Sequence, residues 1–285
     1  MMNLEIIAKE IRETLDTRRK ELGLVFVEDK HQYFMKDHHG DVRSDFPSVS
    51  KVLKYFYDEF PAEEIALKKA GGNLKEQQRL LDEWKSKGDQ STNMGSRIHY
   101  FLEKETLEMF EMDKDVREPI YECDLFQMAK SDSMIEGGKK YLELCKERNL
   151  VLLDTEMVLG DPELGYTGQP DKVWLTVNAT GDEFGLLITD WKSNQPKNFQ
   201  INSYTKSMKH PFDLYPDNAL GHYLLQLPFY GKLILKMLEG SKYENIKLYG
   251  CIIVLLTEDK DFVEYRVPKD VINKIMEMDM DFYLK

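Results

Sequence analysis

Cysteine is scarce in this sequence: only Cys123, Cys145 and Cys251 occur, far apart and without a Cys-x-x-Cys pair. That excludes a four-cysteine zinc or iron–sulfur site and points to a reducing compartment. Long apolar runs are missing too. None approaches the roughly 18 residues that a membrane-spanning helix needs, so no membrane partner is expected. The first residues, MMNLEIIAKEIRETLDTRRKELG, lack the continuous apolar core of a secretory signal, and we expect a cytoplasmic location. Basic charge is in deficit: 39 Lys and Arg against 51 Asp and Glu leave a formal net charge of −12. Such a balance opposes broad phosphate binding. A metal-dependent site nevertheless consists of acids, and a local basic stripe suffices to hold a nucleic acid. Internal repeats, low-complexity tracts and flexible linkers are absent as well.

What is present is ordinary for a globular chain of 285 residues, with 42 % hydrophobic and 32 % charged residues. We expect one α/β domain over residues 1–285, with a mostly helical portion at 1–149 and a sheet core at 150–285. Apolar residues at Leu4, Ile7, Ala8, Ile11 and Leu15 predict an amphipathic helix over 3–21. A short hairpin is expected at 24–35, turning near Glu28, Asp29 and Lys30. A helix follows in 46–60, with Ser48 or Ser50 as N-cap, and another starts at Pro61. Further helices are expected at 74–88, stopping at Gly88, from about Thr92 to Glu111, and at 131–148. Beyond Leu150 the runs VLLDTEMVL, TGQPDKVWLTV and FGLLITDWK read as three strands separated by turn residues. A helix near 217–239, the strands IKLYGCIIVLL and DFVEYRVP, and a C-terminal helix complete the chain.

The chemistry concentrates in the hairpin from Gly168 to Gln195. Acids inside strands need partners. Asp190 and Lys192 share one strand face, with Trp191 on the other, and Asp171 meets them from the neighbouring strand if the register suits. Two carboxylates within reach of each other stay ionised together only around a cation. Carboxylate oxygens suit Mg²⁺ or Mn²⁺, which also bind substrate phosphate. An ammonium at Lys192 then serves to orient an attacking water, to help deprotonate it, or to stabilise charge developing on the phosphate.

PD followed by DWK resembles the PD-(D/E)xK nuclease motif, and its surroundings sharpen the likeness. GQPD resembles the Gly-x-x-Asp variant of RecB-type exonucleases. MGSRIHYFLE resembles the helix that places a histidine on the metal in that group, here His99. QLPFY resembles the Gln-x-x-x-Tyr element that follows the motif, here Gln226 and Tyr230. The elements occur in the order that group uses. FPSVSKVL and MKHPFDLYPDN also look like phage and mitochondrial genome maintenance exonucleases, which extends the likeness over most of the chain.

The resemblance implies a restriction-endonuclease-like fold, a mixed central sheet flanked by helices. It implies a divalent-metal-dependent deoxyribonuclease, most simply an exonuclease on single-stranded DNA or DNA ends in replication, recombination or repair, with proteins of those processes as partners. A bacterial or phage-infected cell fits the same likeness. His99, Asp171 and Asp190 would hold Mg²⁺ or Mn²⁺, with the Trp191 carbonyl as an extra ligand and Glu156 as another acid near the metal. Lys192 would act with the metal to activate water, and Gln226 and Tyr230 would hold DNA. The helical N-terminal half would guide the strand. A structure- or site-specific endonuclease of the same fold is the second enzyme reading. A catalytically silent DNA-binding subunit is the rival outside catalysis.

No acid occurs between Trp191 and Phe212, a stretch that carries Lys192, Lys197, Lys206 and Lys209 interleaved with Phe199, Tyr204, Phe212 and, just beyond, Tyr215. Lysines for the backbone and aromatics for stacked bases form the single-strand binding pattern, and Ser193, Asn194 and Gln195 add phosphate donors. Glu103 shares a helix face with His99 and reads as a solvated residue.

Overall fold

The computed structural model describes residues 3–30 and 32–284. The predicted amphipathic helix forms as α1 (Leu4–Leu22). Asn3 caps it by accepting the Glu5 and Ile6 amides, Gly23 ends it in the left-handed region, and Ala8, Ile11 and Leu15 are buried. Strands β1 (Val25–Val27) and β2 (Gln32–Lys36) pair antiparallel as expected, and β3 (Val42–Arg43) joins β2. The turn between β1 and β2 includes His31, which lies outside the described residues. Short helices α2 (Val49–Val52) and α3 (Ala62–Lys69) follow.

The expected stop at Gly88 does not occur. Helix α4 runs unbroken from Leu74 to Met109, about 54 Å at 1.5 Å per residue. Gly88 keeps a helical backbone, and Ser91 and Thr92 donate back to the carbonyls of Lys87 and Gly88 instead of capping a new helix. An internal glycine weakens a helix without ending it, so the pattern of caps decides. The buried residues of α4 begin only at Ile98. Helix α5 starts earlier than expected, spanning Leu125–Glu147, because Asp124 and Gln127 form a capping box.

The strand runs also subdivide. VLLDTEMVL becomes β4 (Val151–Thr155) and β5 (Leu159–Asp161), parted at Glu156, whose φ is +40°. TGQPDKVWLTV becomes β6 (Tyr166–Gly168) and β7 (Lys172–Val177), parted at Pro170, which has no amide proton to give a ladder. Strand β8 (Phe184–Lys192) carries the Asp-x-Lys pair, α6 spans Ala219–Met237, and β9 (Lys247–Leu256) and β10 (Phe262–Arg266) follow. The chain closes with α7 (Lys269–Glu277) and α8 (Asp281–Leu284).

The main sheet is mixed, in the order β10-β9-β8-β7-β4, with β8 and β9 parallel and the other neighbours antiparallel. Both faces are covered, which is why these strands read as apolar runs and not as alternating ones. On one face Trp174, Trp191, Ile252 and Val254 pack with Ile98 and Leu102 of α4 and Tyr141 and Leu142 of α5. On the other, Val173, Ile188, Ile253 and Leu255 pack with α1, α6 and α7. Gly138 lets α5 approach α4, since a Cβ there would lie 2.5 Å from the Leu102 methyls. No described helix is long and apolar enough to cross a membrane.

Candidate active site

The β7–β8 register pairs Lys172 with Thr189, so one step further Asp171 stands across from Asp190. The register condition set by the sequence is met. Asp171 Oδ2 accepts the Trp191 amide at 2.6 Å, which locks the carboxylate onto the end of β8. From the other side, the Glu156 amide donates to the Asp171 carbonyl at 2.9 Å. That bond brings the left-handed turn after β4 against the entry to β7. His99 reaches the same point from α4: its Nδ1 lies 3.4 Å from Asp171 Oδ1 and 3.7 Å from Glu156 Oε1.

His99, Glu156 and Asp171 each offer a ligand atom, and these atoms lie within 4.8 Å of one another. One imidazole nitrogen and two carboxylate oxygens form a donor set suited to Mn²⁺ and, with retained waters, to Mg²⁺. Asp190 does not join this cluster. Its carboxylate is buried and turned to the Lys192 ammonium, with which it forms an ion pair. Its Oδ2 is the oxygen that meets the ammonium.

The electrostatics record the crowding. Burial pulls the His99 imidazole down, but the Asp171 and Glu156 carboxylates outweigh it and push it up to about 10. Burial, followed by repulsion from Asp171, pushes Glu156 up to about 7 against the opposing pull of His99. Asp171 is raised by burial, yet His99, Lys192 and Lys172 hold it well below the usual carboxylate range. Burial and the Asp171 charge raise Asp190. Lys192 loses by burial and gains more from Asp190 and Asp171, so it stays an ammonium. A metal cation bound there would take the place of the imidazolium proton among these acids.

Gln226 and Tyr230 back the site from α6. Gln226 Nε2 donates to the Tyr230 hydroxyl at 2.8 Å, and the Tyr230 ring is buried with that hydroxyl turned inward. Burial, followed by the charges of Asp190 and Asp171, pushes the Tyr230 hydroxyl well above its usual pKa. The ring lies on Gly168, where a Cβ would sit 2.6 Å from it, so the glycine of GQPD is what admits the tyrosine. Pro228 lies inside α6 without ending it.

The post-motif stripe divides. Ser193, Asn194 and Gln195 line a cavity beside Lys192, and Asn194 accepts a hydrogen bond from Tyr223 at 3.0 Å. Lys197, Tyr204 and Lys206 are exposed on the loop beyond, and Lys209 pairs with Asp58 at 2.8 Å. Phe199 and Phe212 are core residues and offer no face to a base, while the half-buried Tyr215 is tied through its hydroxyl to Asp270. The alternation of lysines and aromatics reflected packing at those positions, because the loop folds back on α6 and α7.

Several residues at the site escaped the sequence reading. Glu103 is not solvated: it accepts from Thr155 Oγ1 at 2.8 Å, in a network where Lys114 donates to Asp154. Its position one turn after His99 was the available signal. Lys172 is buried, with its ammonium 4.1 Å from the Trp191 ring centroid. Tyr33 of β2 faces Glu156, and burial and that charge raise its hydroxyl pKa. Nothing in the sequence joined β2 to the motif. No known family model matches the chain, and no curated protein matches it either.

Proposed function

We propose that the protein is a divalent-metal-dependent deoxyribonuclease with a restriction-endonuclease-like core, similar to RecB-type exonucleases, acting on single-stranded DNA or DNA ends. The observation that carries this reading is the convergence of His99 from α4, Glu156 from the β4–β5 turn and Asp171 from the entry to β7, beside the Asp190–Lys192 pair. These residues come from segments far apart in the chain. A mixed sheet covered on both faces, with its acids at one strand end, agrees with the reading.

His99, Asp171 and Glu156 would hold Mg²⁺ or Mn²⁺. Asp190 and the Trp191 carbonyl would complete the site once Asp190 turns from Lys192. The ion, when bound, supplies Lewis-acid polarisation of the phosphate and a more acidic water. Lys192 is held protonated, so its part is to orient the attacking water and stabilise charge on the phosphate, not to remove a proton. Water attacks phosphorus in line and the departing oxygen leaves opposite. Gln226 and Tyr230 fix the wall behind the acids, and Ser193 and Asn194 offer donors to the nucleotide next to the reacting phosphate.

The test is degradation of an end-labelled single-stranded oligonucleotide with Mg²⁺ or Mn²⁺, alongside a chelator control and Lys192→Ala. Loss of substrate should require the metal, and Lys192→Ala should lower kcat about 10²–10³-fold with the circular dichroism unchanged. A circular single strand should survive, since it offers no end. Its cleavage would move the reading to an endonuclease, and no cleavage of any DNA by the folded protein would refute catalysis.

A further inference from the structure

Two cavities meet at His99. The smaller, about 370 Å³, opens on the Lys192 side; the larger, about 720 Å³, opens on the Glu156 side. His99 lines both and Glu156 lines the larger, so the candidate metal cluster borders them. Their walls differ in chemistry. The larger carries the rings of Phe26, Tyr33 and Tyr100, and its two cations, Lys114 and Arg117, are paired with Asp154 and Glu28. The smaller is ringed by short polar groups, among them Ser91, Ser193, Asn194, Asn198 and Thr257. Its outer wall is tied: Lys130 of α5 pairs with Glu258 of the β9–β10 turn at 2.7 Å, joining two elements that both line the cavity.

We propose that the smaller cavity is a terminal-nucleotide chamber, which takes the end of the strand and sets the length of the fragment released. This inference rests on the deoxyribonuclease reading and adds to it the binding direction across the site and the product size. A cavity of about 370 Å³ stands near the lower end of the range that encloses one small-molecule ligand, about 300–1,000 Å³. It therefore houses about one nucleotide and not a running strand. Hydroxyl and amide groups suit the phosphate and sugar of that nucleotide. The Lys192 ammonium faces the cavity at its inner end, next to the phosphate to be cut. The body of the strand lies in the larger cavity, where the aromatic rings offer a stacking surface.

Two measurements test this. The first is the length of the earliest products from a single-stranded oligonucleotide with Mn²⁺, read on a sequencing gel. The wild type should release chiefly mononucleotides, and the double variant Lys130→Ala, Glu258→Ala, which unties the outer wall, should shift early products to longer fragments. The second is calorimetric binding of deoxynucleoside monophosphates, which needs no turnover. Ser91→Trp, which fills the chamber from α4, should weaken it about tenfold or more. A wild type that digests DNA into fragments of mixed length from the outset, or an untied wall that leaves the length unchanged, overturns the chamber while the nuclease reading stands. If no DNA is digested, the nuclease reading falls. Monophosphate binding sensitive to Ser91→Trp would then still uphold a nucleotide chamber, and its absence would remove both.

Discussion

Glu156 occupies a backbone conformation that a residue with a side chain seldom adopts, φ +40°, and places its carboxylate 3.7 Å from His99. Such a conformation costs of order 1–3 kcal/mol and persists where surrounding contacts impose it. The bond from its amide to Asp171 is one such contact. The protonation of this cluster gives a prediction with a definite sign. His99 is raised from 6.5 to about 10, so the folded chain holds that proton more tightly than the unfolded chain. The stabilisation is complete below pH 6.5 and is lost as pH rises through about 10. Glu156, raised from 4.5 to about 7, has the same sign over its own lower window. In the presence of a chelator, Tm should fall across both windows. His99→Gln should flatten the upper limb and Glu156→Gln the lower. With Mn²⁺ present the slope should weaken or reverse, because the ion takes these ligands deprotonated. A Tm profile of His99→Gln that matches the wild type would refute the assignment. The Asp-x-Lys pair and Asp171 were legible because strand periodicity and register fix which side chains meet. Glu103 and Lys172 were not, because a charged residue on a helix or strand shows no sign in sequence of whether its surroundings are water or protein.

At the scale of elements, α4 is the piece that carries His99 to the sheet while its N-terminal half stands away from the core. Its continuity through Gly88 is testable. Gly88 is exposed, its φ is not positive and a Cβ there meets nothing within 4 Å. Gly88→Ala should therefore raise stability by about 0.5–1 kcal/mol, read from urea midpoints. A loss would mean that the helix is interrupted there. The element types were legible throughout from apolar periodicity, and the Asp124–Gln127 capping box was a readable signal for the start of α5. The breaks at Glu156 and Pro170 were less so. The proline is visible, but a left-handed glutamate is not, because the contacts that hold it come from Asp171 and His99.

Across the whole molecule, α4 and α5 cover one face of the main sheet and α1, α6 and α7 cover the other. Neither helical layer has a core apart from the sheet. Unfolding should accordingly be one concerted event. Trp174 and Trp191 are buried under α4 and α5, so their fluorescence reports that interface, while far-ultraviolet circular dichroism reports all the helices. The two signals should change together in urea; a fluorescence transition well before the loss of helix would show that the α4–α5 layer detaches separately. The sequence by itself determined the order of the main helices and strands and the placing of Asp190 and Lys192 on one strand face, because these follow from local periodicity; the register that sets Asp171 across from Asp190 came from the structure. Only the tertiary structure decided that Glu156 faces His99, that Asp190 is held by Lys192, that Phe199 and Phe212 are core, and that two cavities of unequal size meet at His99. Each of those depends on how segments distant in the chain pack on the two faces of one sheet, and packing of that range leaves no periodic trace in the residues that take part in it.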